Sequence, residues 1–190
     1  SHETRAAAIM REALGDDFPI SISSEIGSVS LLERENATIL NAALVDVAKT
    51  TSESFIAALA GEDITDAEVY LCQNDGTLMS AEYAMRYPIL TIACGPTNSI
   101  RGASFLTGLK DAVVVDVGGT TTDLGVLTHG FPRESMLAVE IGGVRTNFRM
   151  PDIISIGLGG GSIVRQHEDG TVTVGPDSVG YRVTKEALCF

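Results

Sequence analysis

The stretch AVVVDVGGTTTDLGVLT, Ala112 to Thr128, constrains the fold more than any other part of the chain. Two apolar runs of strand length flank a loop of glycine and threonine, and each run carries one aspartate on its loop side, Asp116 and Asp123. A carboxylate near the end of an apolar strand is costly to bury unless it meets a cation, water or hydrogen-bond donors. Gly118 and Gly119 have no Cβ and tolerate φ > 0, so backbone N–H groups can approach a ligand closely and form an anion-binding concavity. Thr120, Thr121 and Thr122 add hydroxyl donors, and the aspartates suit a magnesium ion or an ordered water. A plain hairpin with a glycine turn would explain part of this pattern. It does not explain an aspartate on each side of three consecutive threonines, so the stretch reads as two strands joined by a loop built for an anion.

A second glycine run, IISIGLGGGSIV, follows the apolar strand Ile153 to Ile156. Gly157, Gly159, Gly160 and Gly161 allow a sharp turn and leave room for a flat or bulky group. The dinucleotide fingerprint G-x-G-x-x-G requires glycine where the chain has Ser162. There is no G-x-x-x-x-G-K-[ST] loop either, which argues against a P-loop NTPase. Thirteen basic against 25 acidic residues give a formal charge of −12. That balance repels nucleic-acid backbones and provides no basic stripe, so phosphate has to be held locally.

At 190 residues and 44% hydrophobic content, the chain can form one well-packed domain or two small lobes. Cys72, Cys94 and Cys189 contain no CxxC pair, which points away from a zinc site or a secreted disulfide framework and toward the cytoplasm. No apolar run approaches the roughly 18 residues needed to span a bilayer. Ala6 to Leu14 reads as a helix ended by Gly15, FPISIS as a short strand, and Leu31 to Gly61 as a long amphipathic helix with Leu40, Ala43, Leu44 and Val47 as its apolar stripe. AEVYLCQNDG reads as a strand and turn, SAEYAMRY as a short helix capped by Ser80, PILTIACG as a strand, and Thr97 to Leu109 as a helix. A boundary near Leu109 separates residues 1–109, the end of a first lobe, from residues 110–190. Beyond it, strands at Val113 to Val117, Thr122 to Leu127 and Ser135 to Ile141 are expected to form an antiparallel meander, with a later hairpin around Asp169-Gly170.

These residues carry a resemblance. VVVDVGGTTTDLGVL is similar to the second phosphate motif of the actin-like ATPase superfamily, and GLGGGS resembles its adenosine motif. More narrowly, QNDGTLMSAEYAMRYPILTIACGPTNSIRGASFL, the phosphate loop, MPDIISIGLGGGSIV and VGPDSVGYRVTKEALCF occur in the order found in the hydantoinase/oxoprolinase family A subunit. The resemblance implies a partial α/β fold of the ribonuclease-H-like, actin-like type. It also implies an ATP- and Mg2+-dependent hydrolase that opens a cyclic amide after phosphorylation of the amide oxygen. By carry-over, Gly118, Gly119, Thr120, Thr121 and Thr122 hold phosphate, Asp116 and Asp123 serve metal or water, with Asp116 the metal ligand, and Gly159, Gly160, Gly161 and Ser162 face the adenosine. A B subunit of the same enzyme and a homo-oligomer are the implied partners. A small-metabolite kinase and a non-enzymatic nucleotide-dependent module share the same loops. The family's first Asp-x-Gly-Gly-Thr motif has no counterpart near the start of the chain, so the sequence is expected to be an internal piece, poor at holding nucleotide alone.

Weaker candidates are set aside. His2, His129 and His167 are scattered, Asn36-Ala37-Thr38 is a sequon inside an expected helix, and Cys94 is expected as a buried small hydrophobe. Glu25 and Asp152 are expected at the surface.

Overall fold

A computed structural model describes residues 1–135 and 139–186. Along the chain, α1 (His2–Leu14), α2 (Ser23–Ile26) and α3 (Leu32–Gly61) precede β1 (Tyr70–Cys72), β2 (Leu78–Ser80) and α4 (Ala81–Arg86). A 3-10 turn at Pro88–Thr91 leads to α5 (Cys94–Thr107), β3 (Ala112–Val117), β4 (Thr122–Thr128) and β5 (Phe131–Pro132). There follow β6 (Val139–Ile141), β7 (Val144–Thr146), β8 (Ile153–Ile156), β9 (Ser162–Gln166), β10 (Val172–Ser178), a 3-10 turn at Gly180–Arg182 and α6 (Val183–Glu186). The fold class is α/β, with sheets that are antiparallel throughout the described residues.

Two compact units form. One comprises Ser1–Cys94 with the described part of Glu134–Met150; the other comprises Gly95–Arg133 with the described part of Pro151–Phe190. A single cut at Leu109 differs from this partition in two places, and packing explains each. Helix α5 goes with the second unit, where Ile100 is buried against Gly125 of β4. The segment up to Met150 goes with the first, because Phe148 and Met150 fill the core there beside Ala37 and Ile89.

In the first unit α3 is the spine, and its expected stripe is buried only in part: Leu40 packs against the core and Leu44 is half-buried. Ala43 and Val47 are exposed, whereas Ala37, Asn41 and Ser52 are buried. Of these, Asn41 and Ser52 are polar, and a search for apolar letters does not register them. Asn41, fully buried, donates to Ser21 Oγ at 3.0 Å and the Arg86 carbonyl at 3.1 Å, and accepts from Ile89 N–H at 3.2 Å. Two strand expectations do not hold. FPISIS pairs with no strand among the described residues. In PILTIACG, Pro88–Thr91 forms a 3-10 turn and Cys94 opens α5; Pro88 suits a first helical position and lacks a ladder donor, and Ile89 N–H goes to Asn41. Ser80 caps α4 as expected, accepting from Tyr83 N–H at 3.2 Å.

In the second unit β3 and β4 pair antiparallel from Ala112↔Leu127 to Val117↔Thr122. His129 and Gly130, at φ 52 and 85, turn the chain into β5, the primed geometry that matches strand twist. The meander then departs from expectation. After Pro132 the chain leaves, and β8 takes the remaining edge of β4, from Thr122↔Ile156 to Gly125↔Ile153. Val139–Ile141 instead pairs with β7 in the first unit through Gly142-Gly143. Residues 136–138 of that expected strand lie outside the described residues, as do Cys189 and the rest of ALCF. The hairpin about Asp169-Gly170 forms as β9 and β10.

Candidate functional site

Strand register brings the two carboxylates face to face. Asp116 stands opposite Asp123, and Asp123 opposite Ser155 of β8, so three polar side chains form a row across three strands. Alternation places them on the face shared by Val114, Gly125 and Leu127, whose apolar part packs on Ile100. Like charges directly opposite each other destabilise a sheet. Neither aspartate has an ion-pair partner among the described residues; Ser155 Oγ donates to Asp123 Oδ1.

The loop between them is anchored by its oxygens. Gly118 N–H donates to the Thr121 carbonyl at 2.9 Å, closing the turn. The carbonyls of Gly118 and Gly119 accept from the amides of Gly160 and Gly161 at 2.9 and 2.7 Å, and Ser178 Oγ adds a bond to Gly119 O at 3.3 Å. Thr122 Oγ1 donates to the Leu158 carbonyl at 2.6 Å, so this hydroxyl is spent inside the protein. Residues 118–121 are exposed, and the amides of Gly119, Thr120 and Thr121 donate to no described residue. Neither Gly118 nor Gly119 takes the positive φ that the sequence would allow; the loop is tied down by its carbonyls and leaves three successive N–H groups without a partner among the described residues.

The second glycine run lies directly on the first, in the same unit. Its own amides are consumed: Gly159 N–H donates to Ser162 Oγ at 2.8 Å, Gly160 and Gly161 donate to the first loop, and Ser162 N–H donates to the Gly159 carbonyl at 3.0 Å. All the loop residues singled out in sequence, together with Asp116 and Asp123, thus lie in one neighbourhood. Sequence reading missed Ser155, Gly125 and Ser178. Alternation along β8 places Ser155 on one face of its strand, but its position beside Asp123 depends on a pairing that the letters do not show.

Among the described residues no group of three or more His, Cys, Asp or Glu side chains is placed to hold a metal. Magnesium asks for less, since one or two carboxylates with water and substrate phosphates suffice, and the facing aspartates fit that donor set. The other candidates have structural partners. Glu25 accepts from Tyr87 OH at 2.6 Å and Arg86 Nη2 at 2.8 Å, which holds its carboxyl below the usual range. Asp152 pairs with Arg133, and His167 Nε2 lies 3.0 Å from Thr173 Oγ1. Burial pushes the Cys94 thiol up, away from reactive thiolate character.

The family model described as hydantoinase/oxoprolinase matches residues 34–188. The chain is 29% identical over 187 residues to the caprolactamase subunit alpha of Pseudomonas jessenii, covering 95% of this chain and 26% of that one. It is 27% identical over 189 residues to the acetophenone carboxylase gamma subunit of Aromatoleum aromaticum, covering 95% and 25%. Among solved structures, ATP-dependent caprolactamase from Pseudomonas jessenii matches with TM-score 0.69 at 25% identity, and nucleotide-free acetone carboxylase with TM-score 0.66 at 26%. Each structural match covers 96% of this chain and 26% of the other. The chain therefore spans about a quarter of the length of the relatives it matches.

Proposed function

Because the chain belongs to the hydantoinase/oxoprolinase family, we propose that it is the phosphate-handling part of an ATP-dependent hydrolase opening a cyclic amide of the hydantoin or 5-oxoproline type. The observation that carries this reading is the loop at 118–121, with three open amides set between facing carboxylates. In this reading the core arrangement is ribonuclease-H-like, of the actin-like ATPase type, and a B subunit completes the enzyme, as the subunit names of its relatives suggest.

The chemistry to be supplied is activation of a resonance-stabilised amide. ATP would supply a phosphoryl group to the amide oxygen with release of ADP; water would then add to the activated carbon, the ring C–N bond would break with its nitrogen protonated, and phosphate would leave. The protein's share in such a transfer is positioning and charge stabilisation. The amides of Gly119, Thr120 and Thr121 and the hydroxyls of Thr120 and Thr121 hold phosphate oxygens. Asp116 and Asp123 hold magnesium or orient water, and Ser155 keeps the Asp123 carboxylate in place.

The carboxylase names among the relatives favour a second reading, ATP-dependent activation of a ketone. Measuring ADP release by the full-length enzyme across hydantoins, 5-oxoproline, simple lactams and ketones separates the two. ADP release coupled to ring opening supports the hydrolase; release only with ketone and bicarbonate supports the carboxylase. ATP-independent turnover of every substrate would remove both.

A further inference from the structure

We infer that Gly159 and Gly161 are positioning residues for the phosphate loop: the second glycine run grips the first and sets the direction of its open amides. This rests on the nucleotide reading above. The usual reason for glycine does not apply here. The left-handed glycines of this unit are Gly108, Gly130, Gly170, Gly175 and Gly180, and none of Gly159, Gly160 and Gly161 is among them. What selects glycine is space. A Cβ at Gly159 would lie 2.6 Å from Gly118 O and 2.8 Å from both Gly119 C and Thr120 N. One at Gly161 would lie 2.9 Å from Gly119 O and 2.8 Å from Ser178 Oγ. At Gly160 the nearest atom is Gly118 O at 3.9 Å, an ordinary contact.

The three consecutive glycines therefore divide. The outer two are required so that backbone can lie on backbone, and the obstacles at 159 are main-chain atoms that cannot swing aside as a side chain would. The middle one can carry a methyl group while its amide keeps the 2.9 Å bond to Gly118 O. Displacing residues 118–120 breaks the bonds that hold the loop by its carbonyls, and with them the placement of the amides of Gly119, Thr120 and Thr121. A run whose glycines instead left room for a nucleoside would have no reason to spare the middle position.

The test is equilibrium binding of Mg·ATP and of magnesium inorganic tripolyphosphate, which lacks the nucleoside, to the full-length enzyme. Gly159→Ala and Gly161→Ala are expected to weaken both probes by the same factor, about tenfold to a hundredfold for a displacement of this size. Gly160→Ala is expected to stay within about twofold for both, as a substitution without a clash does. If Gly159→Ala does not fold, Thr122→Val serves in its place: it removes the bond to Leu158 without intrusion and must weaken both probes together. A Gly159→Ala enzyme that loses ATP but keeps tripolyphosphate overturns the inference and assigns the run to adenosine. So does Gly160→Ala losing as much as Gly159→Ala, or Thr122→Val binding tripolyphosphate as the wild type does. Wild-type enzyme that binds neither probe removes the nucleotide reading itself, whereas a wild type that binds both and a Gly159→Ala enzyme indistinguishable from it remove only this inference.

Discussion

Two carboxylates facing each other without a cationic partner among the described residues work against the sheet that carries them. Asp116→Asn is accordingly expected to raise folding stability by about 0.5 kcal/mol, the scale of one cross-strand pair, while ATP turnover by the full-length enzyme is lost. Thermal unfolding alongside ADP release checks both halves; a destabilised variant with normal turnover would contradict the assignment. Gly125 shows a different kind of necessity. A Cβ there would lie 2.3 Å from Ile100 Cδ1, and Ile100 is only 3% exposed, so it has little room to retreat. Gly125→Ala should cost about 1–3 kcal/mol as an overpacked core site. Combining it with Ile100→Val, which removes the offending methyl, should recover part of that loss in a double-mutant cycle by denaturant unfolding.

At the scale of elements, Asn41 joins α3 to the segments around Ser21, Arg86 and Ile89. Asn41→Leu would leave a buried N–H and a carbonyl without partners, an expected loss of about 2–4 kcal/mol on denaturant unfolding. A smaller effect would mean that the turn at Pro88–Thr91 is held by something else. Beside it, Glu25 links α2 to Arg86 and Tyr87. Burial and the Glu25 bond push the Tyr87 phenol up to about 12, so it remains a donor at neutral pH. Because the folded carboxyl of Glu25 is held below its unfolded value, its contribution is present above the ordinary glutamate range and is lost as pH falls through it. Glu25→Gln should therefore lower stability at neutral and alkaline pH and flatten the acid limb, with little change at the most acid end, where the Glu25 contribution is already lost. Helices and hairpins were legible wherever one local rule decided the outcome: the Ser80 cap, the Asp169-Gly170 hairpin, the strands flanking the glycine-threonine loop. They were not legible where a distant partner decided. The run PILT is apolar enough for a strand, and only Asn41 and Pro88 together make it a turn.

At the scale of the whole chain, the proposed phosphate site would have to work against a formal charge of −12. Neutral donors on a loop held by its carbonyls meet that requirement without a basic patch. That these glycines, threonines and aspartates lie in one neighbourhood agrees with their order along two adjoining strands and loops; their role toward phosphate is the proposal. Their division of labour could not be read from the sequence, since it depends on β8 taking the edge of β4 and carrying the second glycine run onto the first. The central claim is that the amides of Gly119, Thr120 and Thr121 receive nucleotide phosphate. Hydrogen–deuterium exchange of the full-length enzyme with and without saturating Mg·ATP tests it most directly. Marked slowing of exchange at residues 119–121, with little change at the already bonded amides of Gly160 and Gly161, is the predicted result; unchanged exchange at 119–121 under saturating nucleotide would contradict the account.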